Sequence, residues 1–113
     1  MEVSPDNHLV MSLRHGLLAK LRLTDGSIVY RHKLHEVPNP RGIACHRQDG
    51  SYIVADRESR TLHLVSPIGY WVKELWAHPA GSGGEDPLSA VSIMGDLCVC
   101  CSYNGSVFVL DVL

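Results

Sequence analysis

The apolar positions of this chain fall in short runs rich in Val, Ile, Leu and Tyr, and Gly, Asp, Asn and Pro separate the runs. No window of 11 residues carries an apolar stripe at i, i+3, i+4 and i+7 bounded by caps, so helices are not expected. The runs cover 8–13, 17–23, 27–34, 41–46, 51–55, 61–65, 70–77, 88–94, 96–101 and 106–112. Ten short strands joined by connections of a few residues predict an antiparallel meander. The turns agree with this. Asp25-Gly26, Asp49-Gly50 and Asn104-Gly105 stand between runs, where tight hairpins need positive φ. Pro40 and Pro87 stand at strand starts, where a missing N–H costs least.

The pattern also repeats. Shifted by 43 positions, residues 8–30 fall on 51–73, so that Leu21 meets Leu64, Arg14 meets Arg57 and Gly26 meets Gly69. Shifted by 45, the second unit falls on 96–112, with Val54 on Val99 and Leu64 on Val109. A period near 45 with about four strands per unit is the spacing of propeller blades. With the proline-led strand labelled a, the chain reads b-c-d, a-b-c-d, a-b-c. The predicted fold is therefore all-β, a single partial propeller over 1–113. It divides into an incomplete blade at 8–34, a complete one at 40–77 and an incomplete one at 87–113. Asp56 ends a strand where a short acceptor can tie down the following turn; by the same alignment the outer units have Leu13 and Cys101 there.

Composition narrows the classes. Hydrophobic residues make up 45% and charged residues 19%, which is globular. A net charge of −2 offers no general attraction to DNA or to an anionic membrane. No run approaches the roughly 18 apolar residues of a membrane span. The opening "MEVSPDNHLV" lacks the basic start and apolar core of a secretory signal. Three of the four cysteines (Cys98, Cys100, Cys101) crowd into one run with Cys45 apart, which is no spaced disulfide framework. A reducing, cytoplasmic setting with free thiols is expected. Residues 1–60 hold nine of the ten Lys and Arg against seven acids, and residues 61–113 hold Lys73 against five.

"PRGIACHRQDGSYIVADRESRTLHLVSPIG" (40–69) resembles the NHL repeat almost throughout, departing at Cys45-His46, where the family has Val-Asp. Residues 86–112 are a weaker copy. "SPIGYWVKEL" and "GSVFVLDV" resemble the C-terminal NHL domains of tripartite-motif (TRIM) proteins. The resemblance implies a six-bladed ring of roughly 260–280 residues, of which this chain fills under half. The remaining blades would come from a longer parent chain or from a homo-oligomer, unless the product is left unclosed.

Candidate chemistry is sparse. Cys98 and Cys100 share a strand face but lack a second ligand pair at zinc-site spacing, and His32 and His35, three apart on a strand, point to opposite faces. No metal or cofactor is expected. Propellers related to the NHL family include a lyase and lactonases whose sites project into the channel. The corresponding strands here, "RGIACH" and "LSAVSIM", are apolar or small apart from Arg41 and His46, so an enzyme is not expected. Binding remains. The d–a and b–c loops share one face, which places Arg14, His15, Arg41, Arg57, Arg60 and Tyr103 as partner-binding candidates, interspersed with Glu36, Glu58, Glu85 and Asp86. Arginine suits bidentate contact with carboxylate or phosphate. A protein partner is the primary expectation, including substrate recognition for ubiquitination by analogy with TRIM proteins, and single-stranded RNA on the same face is the alternative. Trp71 and Trp76, five apart on the outer strand, should face opposite ways, one packed and one outward.

Overall fold

Strand-forming residues between tight turns produce eleven strands and no α-helix among the described residues. These are residues 2–4, 7–46, 49–79 and 87–111 in the computed structural model. The strands are β1 (Glu2–Val3), β2 (His8–Leu13), β3 (Leu17–Arg22), β4 (Ile28–Lys33), β5 (Pro40–Cys45), β6 (Tyr52–Asp56), β7 (Thr61–Val65), β8 (Trp71–Ala77), β9 (Leu88–Met94), β10 (Leu97–Ser102) and β11 (Val107–Leu110). They form three antiparallel meanders in chain order, β1–β4, β5–β8 and β9–β11. All ten expected segments are present, with ends moved by one or two residues. The addition is β1, whose two residues pair Glu2 with Val10 and Val3 with Leu9. The first sheet therefore has a short inner strand where the repeat alignment has none.

The sheets stack face to face, with their first strands nearest one another: β5 contacts both β1 and β9. Gly42 permits the second approach, since a Cβ there would lie 3.0 Å from the Val91 nitrogen and 3.1 Å from the Ala90 Cα. That is the physical content of the Pro-Arg-Gly motif. Alternation along each strand then splits the core in two. Val10, Leu18, Ile43, Tyr52, Val54 and Val65 fill the junction between the first and second sheets. Ile53, Ala55, Leu62, Leu88, Cys98 and Cys100 fill the junction between the second and third. Burial holds the Cys98 and Cys100 thiols protonated, with pKa values pushed up to about 11 and about 12.

The ladders correct the repeat alignment in two places. Leu9 pairs with Leu21 and Tyr52 with Val65, so Leu21 corresponds to Val65 rather than Leu64. The turn after β2 is one residue shorter than the turn after β6. In the third sheet Cys100, not Val99, stands where Val54 stands, because Cys98 and Cys100 face the second sheet as Tyr52 and Val54 face the first. The counterpart of Asp56 is then Ser102, which is buried, rather than Cys101. A slip of one residue exchanges the two faces of a strand. Shared hydrophobicity on both faces hides such a slip from composition.

The connections repeat as well. Leu34 N–H donates to Gly16 O at 2.7 Å, and 44 positions later His78 N–H donates to Arg60 O at 2.9 Å. Gly16 and Arg60 are both left-handed, with φ of 77° and 58°. A Cβ on Gly16 would also lie 2.7 Å from Leu34 O and 2.8 Å from Val37 O. Gly26 has a similar φ of 73° but nothing within 4 Å of such a Cβ. Gly26→Ala is expected to cost about 1–2 kcal/mol for left-handed backbone. Gly16→Ala should cost clearly more, because collision adds to conformation. Urea denaturation of the two variants checks the order; equal losses would refute the close approach.

Candidate functional site

Asp56, at the end of β6, is fully buried. Removing a carboxylate from water is costly unless donors replace the water, and here three do. The N–H of Asn39 and that of Glu58 each donate to Oδ1 at 3.1 Å, and the Ser59 hydroxyl donates to Oδ2. Asn39 lies in the connection between the first and second sheets, and Glu58 and Ser59 in the turn after β6. A single carboxylate thus ties two loops together, and Arg57 N–H adds a bond to Asn39 O at 2.9 Å.

The chain of hydrogen bonds continues inward with one consistent direction. The Trp71 indole N–H can only donate, and it donates to His63 Nδ1 at 3.0 Å. In the neutral imidazole Nε2–H is then the donor, 2.6 Å from Thr61 Oγ1. The Thr61 hydroxyl accordingly donates to Ser59 Oγ at 2.6 Å, and Ser59 to Asp56. Burial lowers the His63 pKa, against the opposing pull of the Asp56, Glu74 and Glu36 carboxylates. Protonating Nδ1 would set two donors against each other at the Trp71 contact.

Above this network lies a cleft of about 430 Å³. One wall is Ser12, Leu13 and His15 from the end of β2 and the 3-10 turn after it. A second is Pro38 to Arg41, and a third is Arg57 with Glu58. The volume is within the range of ligand sites. Two guanidiniums and an imidazole face one carboxylate. Arg57 is steadied from the far side by Tyr103, its Cζ 5.2 Å from the ring centroid. The Tyr103 N–H donates in turn to Pro87 O at 3.0 Å, tying the third sheet's turn to its own inner strand.

Of the sequence candidates, His15, Arg41 and Arg57 come together at the cleft, and Tyr103 joins them through Arg57. Arg14 belongs to the same 3-10 turn as His15. Arg60 does not line the cleft; it closes the turn after β7's partner strand and accepts from His78 through its carbonyl. Glu36 is exposed in the neighbouring connection, while Glu85 and Asp86 lie outside the described residues. The network from Trp71 to Asp56 was not anticipated beyond Asp56 itself. Its signal is the spacing of Thr61 and His63, which puts two polar groups on one face of β7, with Ser59 in the turn just before it. The tryptophans do face opposite ways, but neither is simply outward: Trp71 bonds His63 toward the first sheet, and Trp76 packs on Phe108 of the third with ring centroids 4.9 Å apart. His32 stacks between Tyr30 and Tyr70, while His35 lies beyond β4 in a turn. Among the described residues no three His, Cys, Asp or Glu side chains are grouped so as to hold a metal ion, and no helix is long and apolar enough to cross a membrane.

No protein-family model matches the sequence, and comparison with curated proteins finds no match. Solved structures do match. The WD40 repeats of RRP9 superpose with a TM-score of 0.77 at 19% identity, over 99% of this chain and 33% of that one. The fold is that of a β-propeller segment. The Pan2 WD40 domain of Neurospora crassa gives 0.66 at 15% identity, over 93% of this chain and 32% of that one. Virginiamycin B lyase from Staphylococcus aureus gives 0.62 at 12% identity, over 95% and 38%. At such identities the likeness is one of fold alone. The chain spans about a third of the length of these propellers.

The His63 assignment predicts a pH dependence of propeller stability. Unfolded, His63 titrates near its ordinary value of about 6.5, and folded it titrates lower. Between those values the unfolded chain holds more protons, so its contribution is complete above about pH 6.5 and is lost as the pH falls toward the folded value. The urea midpoint should therefore decline on acidification more steeply for the parent chain than for His63→Gln. Matching slopes would rule out the neutral tautomer. Asp56→Ala should cost at least about 3 kcal/mol, since it strands buried donors that had a charged acceptor; a loss under about 1 kcal/mol would show that the carboxylate does not hold the loops.

Proposed function

We propose that this propeller segment is a non-catalytic recognition module that binds a protein partner at the cleft between the turns after β2 and β6 and the connection preceding β5. The observation that carries the reading is the convergence of Arg41, Arg57 and His15 on one cleft whose two rims are held by the buried Asp56 carboxylate. A site whose donors are fixed before binding loses little entropy when it binds. Guanidiniums in such a place donate in pairs to the planar oxygens of a carboxylate, so Asp- or Glu-bearing peptide segments are the ligand class. The apolar walls of Leu13, Pro38 and Pro40 offer contact to the backbone and neighbouring side chains of such a segment.

The finer reading follows the motif at 40–69. Its likeness to NHL repeats and to TRIM C-terminal domains supports substrate recognition for ubiquitination within a longer parent protein, in the cytoplasm. A fragment of a propeller lyase or lactonase is the remoter reading, since the inner strands β5 and β9 contribute Arg41 as their one charged side chain.

Single-stranded RNA offers phosphates to the same arginines, and Tyr103 is the aromatic in reach, with one ring face already taken by Arg57. Fluorescence titration of an acidic-peptide array and of a random single-stranded RNA pool separates the two. Peptides are expected to bind with a shallow salt dependence and to lose about tenfold or more in affinity with Arg41→Ala or Arg57→Ala. Binding of the RNA pool that weakens steeply with salt, with no peptide bound, would overturn the protein-partner reading.

A further inference from the structure

The middle sheet is covered on both faces, and each outer sheet on one. In the second sheet Tyr52, Val54 and Val65 pack toward the first sheet, and Ile53, Ala55 and Leu62 toward the third. The first sheet turns away from the second a face bearing Leu9, Met11, Leu17 and Leu21. By the ladder registers these hold the places of Tyr52, Val54, Thr61 and Val65. The third sheet turns away a face bearing Met94, Leu97, Val99, Val107 and Val109, in which Val99 pairs with Val109. Val107 and Val109 are 65% and 62% exposed and hold the places of Leu62 and Leu64.

The three sheets thus present on one side a surface of the kind that receives a preceding sheet, and on the other a surface of the kind that receives a following one. The junction that would join them already occurs twice inside it. Charge matches as well. Arg31 and Lys33 stand opposite Ala19 and Leu17 on the outward face of the first sheet. Asp111 follows Val109 at strand spacing beside the outward face of the third, and no Lys or Arg occurs after Lys73. Apolar sheet faces of this extent seek a cover, and repeat arrays gain it from the next repeat.

We propose that the cover is a second copy of this chain, bound head to tail, the third sheet of one copy against the first sheet of the other. Such a contact is heterologous: it closes when the rotation between copies permits and continues as a filament otherwise. Two copies bring six sheets.

Sedimentation equilibrium of the full chain should give a concentration-dependent species at twice, or a higher multiple of, 12.4 kDa. Val109→Asp charges the outward face of the third sheet. Val29→Asp charges that of the first, where Val29 alternates with Tyr30, which packs toward the second sheet, and is 40% exposed. Each alone should weaken association about tenfold or more. An equimolar mixture should recover it in part, because one copy keeps an intact first sheet and the other an intact third sheet. Far-UV circular dichroism confirms that the variants remain folded. A chain that unfolds cooperatively yet stays monomeric at every concentration overturns the proposal. So does a mixture that associates no better than the separate variants, which is the behaviour of a contact between like faces.

Discussion

Asp56 carries a charge-bearing group into a place without water, and the loop face is arranged around that constraint. Its acceptor oxygens are filled by two backbone N–H groups from different loops and by one hydroxyl. Because those loops flank the cleft, the same bonds that make the burial tolerable also fix where Arg41 and Arg57 stand. The indole, imidazole and two hydroxyls behind the carboxylate extend the arrangement through β7 to the outer strand. A buried polar series of this kind is stabilising only when every member is satisfied, which is why its direction can be followed bond by bond from Trp71.

The outer sheets lack that series. In the third sheet Ser102 stands where Asp56 does and accepts from Ser106 N–H through its own hydroxyl at 3.2 Å. Phe108 occupies the position of His63 and packs on Trp76 and His78 instead. In the first sheet Leu13 and Ala19 fill the corresponding places. Three copies of one backbone unit therefore carry three different groups at that place, one ionic, one hydroxylic and one apolar, and only the ionic one belongs to a sheet covered on both faces.

The architecture was legible because turn chemistry and strand runs alternate so regularly: Asp25-Gly26, Pro40 and Pro87 mark boundaries that the strands respect. Register was not legible. Leu64 and Val65, or Val99 and Cys100, are interchangeable to a reading based on hydrophobicity, and only the lengths of the turns decide which faces inward. The short β1 escaped notice because two residues carry no periodicity. At the site, exposed arginines between strands announced themselves, whereas Thr61 and His63 lay inside an apolar strand and read as incidental. Arg60 shows the converse. Its place after the Arg-Glu-Ser turn resembles that of Arg57, yet its left-handed backbone sends it out of the cleft lining.

The thiols of Cys98 and Cys100 sit on the seam between the second and third sheets, protonated and shut off from solvent. A thiolate is the reacting species in alkylation and exchange, so neither sulfur can be attacked while the seam is closed. Their modification rate is consequently a clock for parting of these two sheets. Cys101, half-buried on the opposite side of the same strand, supplies an internal reference that does not wait for that parting.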